Sequence, residues 1–158
     1  MITTTHSPNR STDPAWRRSV STRIRAVCRS EALFRLLDPW SCGPFDGGCL
    51  MVAAALQHAL GGELCGVMGY PLTPHGAPTV WQHAVVRIGS NAYADGDGIS
   101  VERSLRQRWL RQESTIVCGF APMPPQAEWP SRYPDTPYDP ATAERMADLF
   151  SEELARCR

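Results

Sequence analysis

Apolar positions recur at helical spacing from Trp16 through Val20, Ile24 and Val27 to Phe34 and Leu37, and the run stops at Pro39. Asp13 before Pro14 is a good cap followed by a good first helical residue, so the pattern predicts one or two helices with Arg17, Arg18, Arg23 and Arg25 on the outer face. The turn-forming stretch SCGPFDGG comes next. The apolar run CLMVAAALQHAL, from Cys49 to Leu60, then predicts a helix that Gly61-Gly62 ends. ELCGVM predicts a strand and GYPLTPHGAPT a proline-broken loop. WQHAVVRIG and NAYAD predict the two strands of a hairpin, with GSN as the turn. Ser100 is placed to cap a helix whose inward face holds Val101, Leu105, Trp109 and Leu110, and STIVCGF reads as a further strand. After a proline-rich stretch, Asp139-Pro140 opens a last helix with the apolar stripe Ala143, Met146, Ala147, Phe150, Leu154 and Cys157. Residues 1–12 are polar and predict a disordered tail, leaving 13–158 as a single domain. The fold class expected is α+β: a small antiparallel sheet packed on the helix that carries Cys49, flanked by other helices.

Length and charge narrow the function. A chain of 158 residues buries a sizeable core without disulfides or a structural metal. Its 16 basic and 16 acidic residues cancel, which argues against nucleic acid and membrane surfaces as partners. All of the basic residues are arginines, a bias that GC-rich bacterial or phage coding would produce. The six cysteines do not point to a disulfide framework, because MITTTHSPNRSTDPAW lacks the apolar run of a secretory signal. Reduced thiols in a cytoplasm are expected, and no window approaches the roughly 20 apolar residues of a membrane span.

The chemistry centres on FDGGCLMV. A thiolate is stabilised by the amides and positive dipole end of a helix, and Cys49 sits at such an end. Gly47 and Gly48 permit a sharp turn and bring backbone N–H groups, at Gly48 and Cys49, close enough to a substrate carbonyl to hold an oxyanion. Asp46 opposes a thiolate unless it caps the helix. A base is then needed among four histidines. His6 lies in the tail, and His58 is nine residues along the Cys49 helix, at ~1.5 Å each. His75 in a loop remains possible, but His83, fixed by a strand, is preferred. If GSN is a three-residue turn, Ile88 faces Ala92, His83 faces Asp97, and Asp95 lies diagonally from His83 on the same side of the sheet. A two-residue turn would put both aspartates on the other side. Asp95 is the expected partner that orients the imidazole, with Asp97 in reserve. Trp81 and Gln82, with the loop from Tyr70 to Thr79, are expected to wall a pocket. DGDG reads as a turn, since a calcium loop would need further ligands. Cys42, Cys49, His75 and His83 lack the paired spacing of a zinc site, so neither metal nor cofactor is expected.

A glycine-preceded cysteine opening a helix, then QHAVV on one strand and AYADGDG on the next, resembles the papain-like superfamily over roughly Cys42 to Gly98. Its compact members include the NlpC/P60 peptidases, transglutaminase-like enzymes and bacterial papain-fold toxins or effectors, and the toxin-like group is nearest. The resemblance implies a compact papain-like fold with Cys49 as nucleophile, His83 as base and Asp95 as orienter. It also implies a cysteine hydrolase acting on a protein or peptide. Leu50 stands where papain itself has a tryptophan, and no glutamine precedes Cys49, so papain's own substrate class is not implied. The alternative is a non-catalytic inhibitor or effector from a mobile element. Its working surface would be the arginines of the first helix together with Arg103, Arg106, Arg108 and Arg111.

Overall fold

The structure, a computed structural model, describes residues 12–156. Two helices precede the turn-forming stretch. Asp13 accepts from the Ala15 N–H at 2.8 Å to start α1 (Pro14–Cys28), and Ser30 accepts from the Leu33 N–H at 3.2 Å to start α2 (Glu31–Leu37). The break at Arg29–Ser30 resets the helical phase. Leu33 and Leu37 therefore reach the core, while Phe34, expected inside, is 43% exposed. A 3-10 turn over Asp38–Trp40 leads into the loop before α3 (Cys49–Leu60).

The strands are β1 (Glu63–Pro71), β2 (Val80–Arg87), β3 (Ala92–Asp95), β4 (Gly98–Val101) and β5 (Thr115–Pro122). They form an antiparallel sheet in the order β4-β3-β2-β1-β5. The remaining helices are α4 (Glu102–Gln112), α5 (Trp129–Arg132) and α6 (Pro140–Ala155), the last capped by Asp139 through the Thr142 N–H at 2.8 Å. The molecule is thus α+β with an antiparallel sheet. The stripe on α6 buries Ala143, Met146, Ala147 and Phe150, whereas Cys157, like residues 1–11 of the expected tail, lies outside the described residues.

β4 was not expected. Its residues pair along β3 from Asp95↔Gly98 to Ala92↔Val101, so Ser100 sits in a strand and does not cap α4. The Asn91 side-chain oxygen takes that role, accepting from the Glu102 N–H at 3.2 Å. On α4, Leu105 is buried but Leu110 is 46% exposed. A cap supplied from another element is invisible to a local sequence pattern.

Alternation along the strands divides the core. Ala84, Val86 and Ala94 face α1, α2, α3 and α6, and Cys65, Val67, Val85, Tyr93 and Val117 pack with Leu105 of α4 on the other face. α3 is buried on every side from Cys49 to Leu56 because it packs against both the sheet and α6. Each fully buried Leu or Met there contributes about 1.5–3 kcal/mol, which holds the N-terminus of α3 firmly against the sheet. None of the described helices is long and apolar enough to cross a membrane.

Candidate active site

The loop before α3 folds back on itself. Gly43 donates to the Asp46 carbonyl at 2.8 Å, and the Asp46 and Gly48 amides donate to the Gly43 carbonyl at 3.3 and 2.9 Å. Gly47 has φ +84°, and a Cβ on Gly48 would come within 2.6 Å of the Gly43 oxygen, so both positions require glycine. The loop delivers Cys49 as the first residue of α3.

One expectation about this loop needs correction, and one condition left open is decided. The Gly48 N–H is occupied by Gly43, so Gly48 shapes the turn and is not an oxyanion donor. Asp46 is exposed and does not cap α3, so its carboxylate counts against a thiolate at Cys49, weakened by its exposure to water. The first-turn amides, beginning with that of Cys49, therefore have no side-chain acceptor. By contrast α1, α2 and α6 are capped by the preceding residue and α4 by Asn91. An uncapped helix start leaves oriented donors for a ligand's negative charge.

His83 is aimed by a bulge. Against β1, Val67 pairs with His83 and Met68 with Trp81, so Gln82 is the extra residue in β2. Without the bulge, Trp81 and His83 would share a face. With it, Trp81 lies over Gly66 and packs with the helices of the larger core, while the His83 ring stands beside Trp109 of α4, centroids 5.3 Å apart.

The β2–β3 register places the carboxylate. Val86 pairs with Ala94, and Ile88 donates to the Ala92 carbonyl at 2.9 Å, which is the three-residue connection. Asp95 then lies diagonally from His83, with its Oδ2 at 3.4 Å from His83 Nε2. That separation is at the long end of hydrogen bonding. Cys49 lies on the same cleft as the ring, close enough to act on its charge.

Burial alone would favour neutral imidazole. The Asp95 carboxylate and the Cys49 sulfur outweigh it and lift His83 from 6.5 to about 9. At neutral pH the ring is therefore imidazolium, the form that stabilises a thiolate beside it. Asp95 is only 5% exposed. Burial would raise its pKa, but His83 and Arg108 prevail and hold it below the usual carboxylate range.

Arg108, expected on an exposed binding surface, is instead half-buried in this cluster. Its Nη1 donates to Asp95 Oδ1 at 3.3 Å, its Nη2 is in close contact with Asp95 Oδ2, and Nη1 also lies 3.1 Å from Asp97 Oδ2. Asp97 is thus the second carboxylate on Arg108, and its backbone N–H donates to Asp95 Oδ1 at 3.0 Å. A sequence signal did exist. Leu105, Arg108, Trp109 and Gln112 share one helical face, and an arginine on a face defined by Leu105 and Trp109 needs a buried carboxylate. Arg106 is also engaged, with Glu102 and the Val117 carbonyl, which removes two of the four α4 arginines from the proposed docking surface.

These groups line a cleft of about 290 Å³. Trp81 and Gln82 belong to its wall together with Trp109, Phe45 and Thr136, but no residue from 70–79 does. His75 is exposed in that loop and His58 is exposed near the far end of α3. Cys28 is a buried thiol that burial, Asp95 and Asp97 push up to about 12, so it is inert as a nucleophile. Among the described residues no group of three or more His, Cys, Asp or Glu is arranged to hold a metal ion.

No protein-family model matches this chain, and no curated protein or solved structure matches it either.

The two shifts predict a pH profile for stability. His83 is raised on folding, so its contribution is complete below about 6.5 and is lost as pH climbs through about 9. Asp95 is lowered, so its contribution is present above its unfolded value of 3.8 and is lost as pH falls through its folded one. Urea unfolding from pH 5 to 9.5 should show stability falling by on the order of 3 kcal/mol across the alkaline limb. His83→Gln should flatten that limb; an equally steep fall in the variant would refute the assignment.

Proposed function

We propose that this chain is a cysteine-dependent acyl-transfer hydrolase of compact papain-like layout, acting on a protein or peptide. The single observation that carries the reading is that Cys49, His83 and Asp95 line one cleft, with His83 Nε2 3.4 Å from Asp95 Oδ2 and Cys49 at the uncapped start of a buried helix. In this scheme Cys49 attacks an amide or thioester carbonyl, and the resulting oxyanion takes the Cys49 N–H and its first-turn neighbours. His83 holds the thiol proton and passes it to the leaving group. Water, deprotonated by His83, then releases the acyl group and restores the thiol. Asp95 keeps the imidazole in the orientation that both steps need. Peptidase, amidase and glutamine deamidase reactions share these steps. A cytoplasmic effector or toxin-like role is the biological setting we favour, resting on the resemblance of the Cys42–Gly98 region.

The test uses iodoacetamide on the intact protein at pH 7, with each thiol followed by peptide mass mapping. A cysteine beside an imidazolium at a helix start is expected to be alkylated several-fold faster than an ordinary exposed thiol. Cys49 should therefore outpace the exposed Cys118. Equal rates would end the hydrolase reading, as would full biological effect in Cys49→Ala.

A further inference from the structure

We infer that Arg108 is a positioning residue of this site: its guanidinium clamps Asp95 toward His83, ties Asp97 to the same point, and divides the Asp95 charge between itself and the imidazole. The inference rests on the hydrolase reading and adds a component that the Cys49, His83 and Asp95 set does not contain.

Geometry carries it. A carboxylate offers about four acceptor positions, and those of Asp95 are all engaged: His83 Nε2 and Arg108 Nη2 on Oδ2, Arg108 Nη1 and the Asp97 N–H on Oδ1. The fork of Arg108 is planar and always charged, so it fixes the plane of the carboxylate as lysine could not. The turn beneath is fastened from α1, where Arg25 donates to the Asp97 carbonyl at 2.9 Å and Ser21 Oγ accepts from the Ile99 N–H at 2.8 Å. Asp95 therefore cannot swing away from His83 without breaking the bond to Arg108.

The charges facing His83 come from several elements: Cys49 from α3, Asp95 from β3, Asp97 from the β3–β4 turn and Arg108 from α4. Glu113 stands at the cleft edge and the Cys28 thiol lies beneath the turn. Arg25 of α1 reaches the backbone of the same turn, and Arg108 is the cation in contact with both carboxylates. Without it the two carboxylates would act on the imidazole undiluted and would oppose charge on sulfur. Removing a neighbouring cation makes proton loss harder from thiol and imidazolium alike.

The experiment is the pH profile of Cys49 alkylation by iodoacetamide in the intact protein, compared among variants. Arg108→Gln should move the midpoint of that profile up by about one pH unit at low salt. Arg108→Lys, which keeps the charge, should recover most of the shift. Asp97→Asn removes an opposing charge and should move the midpoint down, a reversal of sign that structural damage does not mimic. Asp97 is partly exposed, so this variant keeps the test decisive even if Arg108→Gln fails to fold. A midpoint unmoved by Asp97→Asn, or moved upward, overturns the inference, and so does an unmoved midpoint in folded Arg108→Gln. If wild-type Cys49 reacts no faster than Cys118, the hydrolase reading itself falls and takes this inference with it. A fast wild type with an insensitive profile removes the role of Arg108 alone.

Discussion

His83→Gln is expected to bring Cys49 down to the reactivity of an ordinary thiol, a several-fold loss in alkylation rate at pH 7. The reason is local. His83 is held as imidazolium by Asp95 and Cys49, and glutamine can offer a hydrogen bond but no charge. On a thioester or amide substrate the loss should be larger, about 10²–10⁴-fold from the missing general acid and base, in addition to the weaker nucleophile. The variant should fold, because the bulge at Gln82 and the pairing of β2 with β1 do not depend on the ring. Circular dichroism and alkylation on the same sample separate the two effects. Alkylation as fast as wild type in a folded His83→Gln protein would mean that the helix start alone activates the sulfur, and the triad would lose its base.

Asp95→Ala should have the largest effect on stability of any single change in the site. It removes the acceptor for Arg108 and for the Asp97 N–H and leaves the guanidinium facing only the partly exposed Asp97. Breaking a buried ion pair from one side costs about 3–5 kcal/mol, and the contact that Arg108 keeps with Asp97 places this loss at about 3 kcal/mol. For a domain of this size that is roughly 10 °C in Tm. Removing both partners should cost less than the sum. Asp95→Ala with Arg108→Met is therefore expected to recover part of the loss in a double-mutant cycle read by urea unfolding. A loss below about 1 kcal/mol in Asp95→Ala, or strict additivity in the cycle, would show that water already screens the cluster.

The ends of α1, α3 and α6 were legible because their signals are local. Asp13-Pro14, Gly61-Gly62 and Asp139-Pro140 act within one turn of themselves, and the structure caps α1 and α6 with those two aspartates. The hairpin register was legible as a choice between two turns, which the Ile88 to Ala92 bond decides. β4 was not legible: GISV is too short to show alternation, and it is a strand only because β3 lies beside it. The single-element patterns also misplaced Phe34, Leu110 and the wall of the cleft.

The candidate site divides along the same line. Sequence by itself determined that Cys49 would open a buried helix after a glycine turn, and that Asp95 would share a side with His83 given a three-residue turn, since both follow from short-range stereochemistry. Only the tertiary structure decided that the Gly48 amide is occupied, that a bulge at Gln82 turns His83 away from Trp81, and that Arg108 of α4 reaches Asp95. Each of those depends on elements far apart in the chain being packed together by the burial of α3 and the sheet. A partner across such a gap is selected by where the core places it, and no local pattern of residues encodes that position.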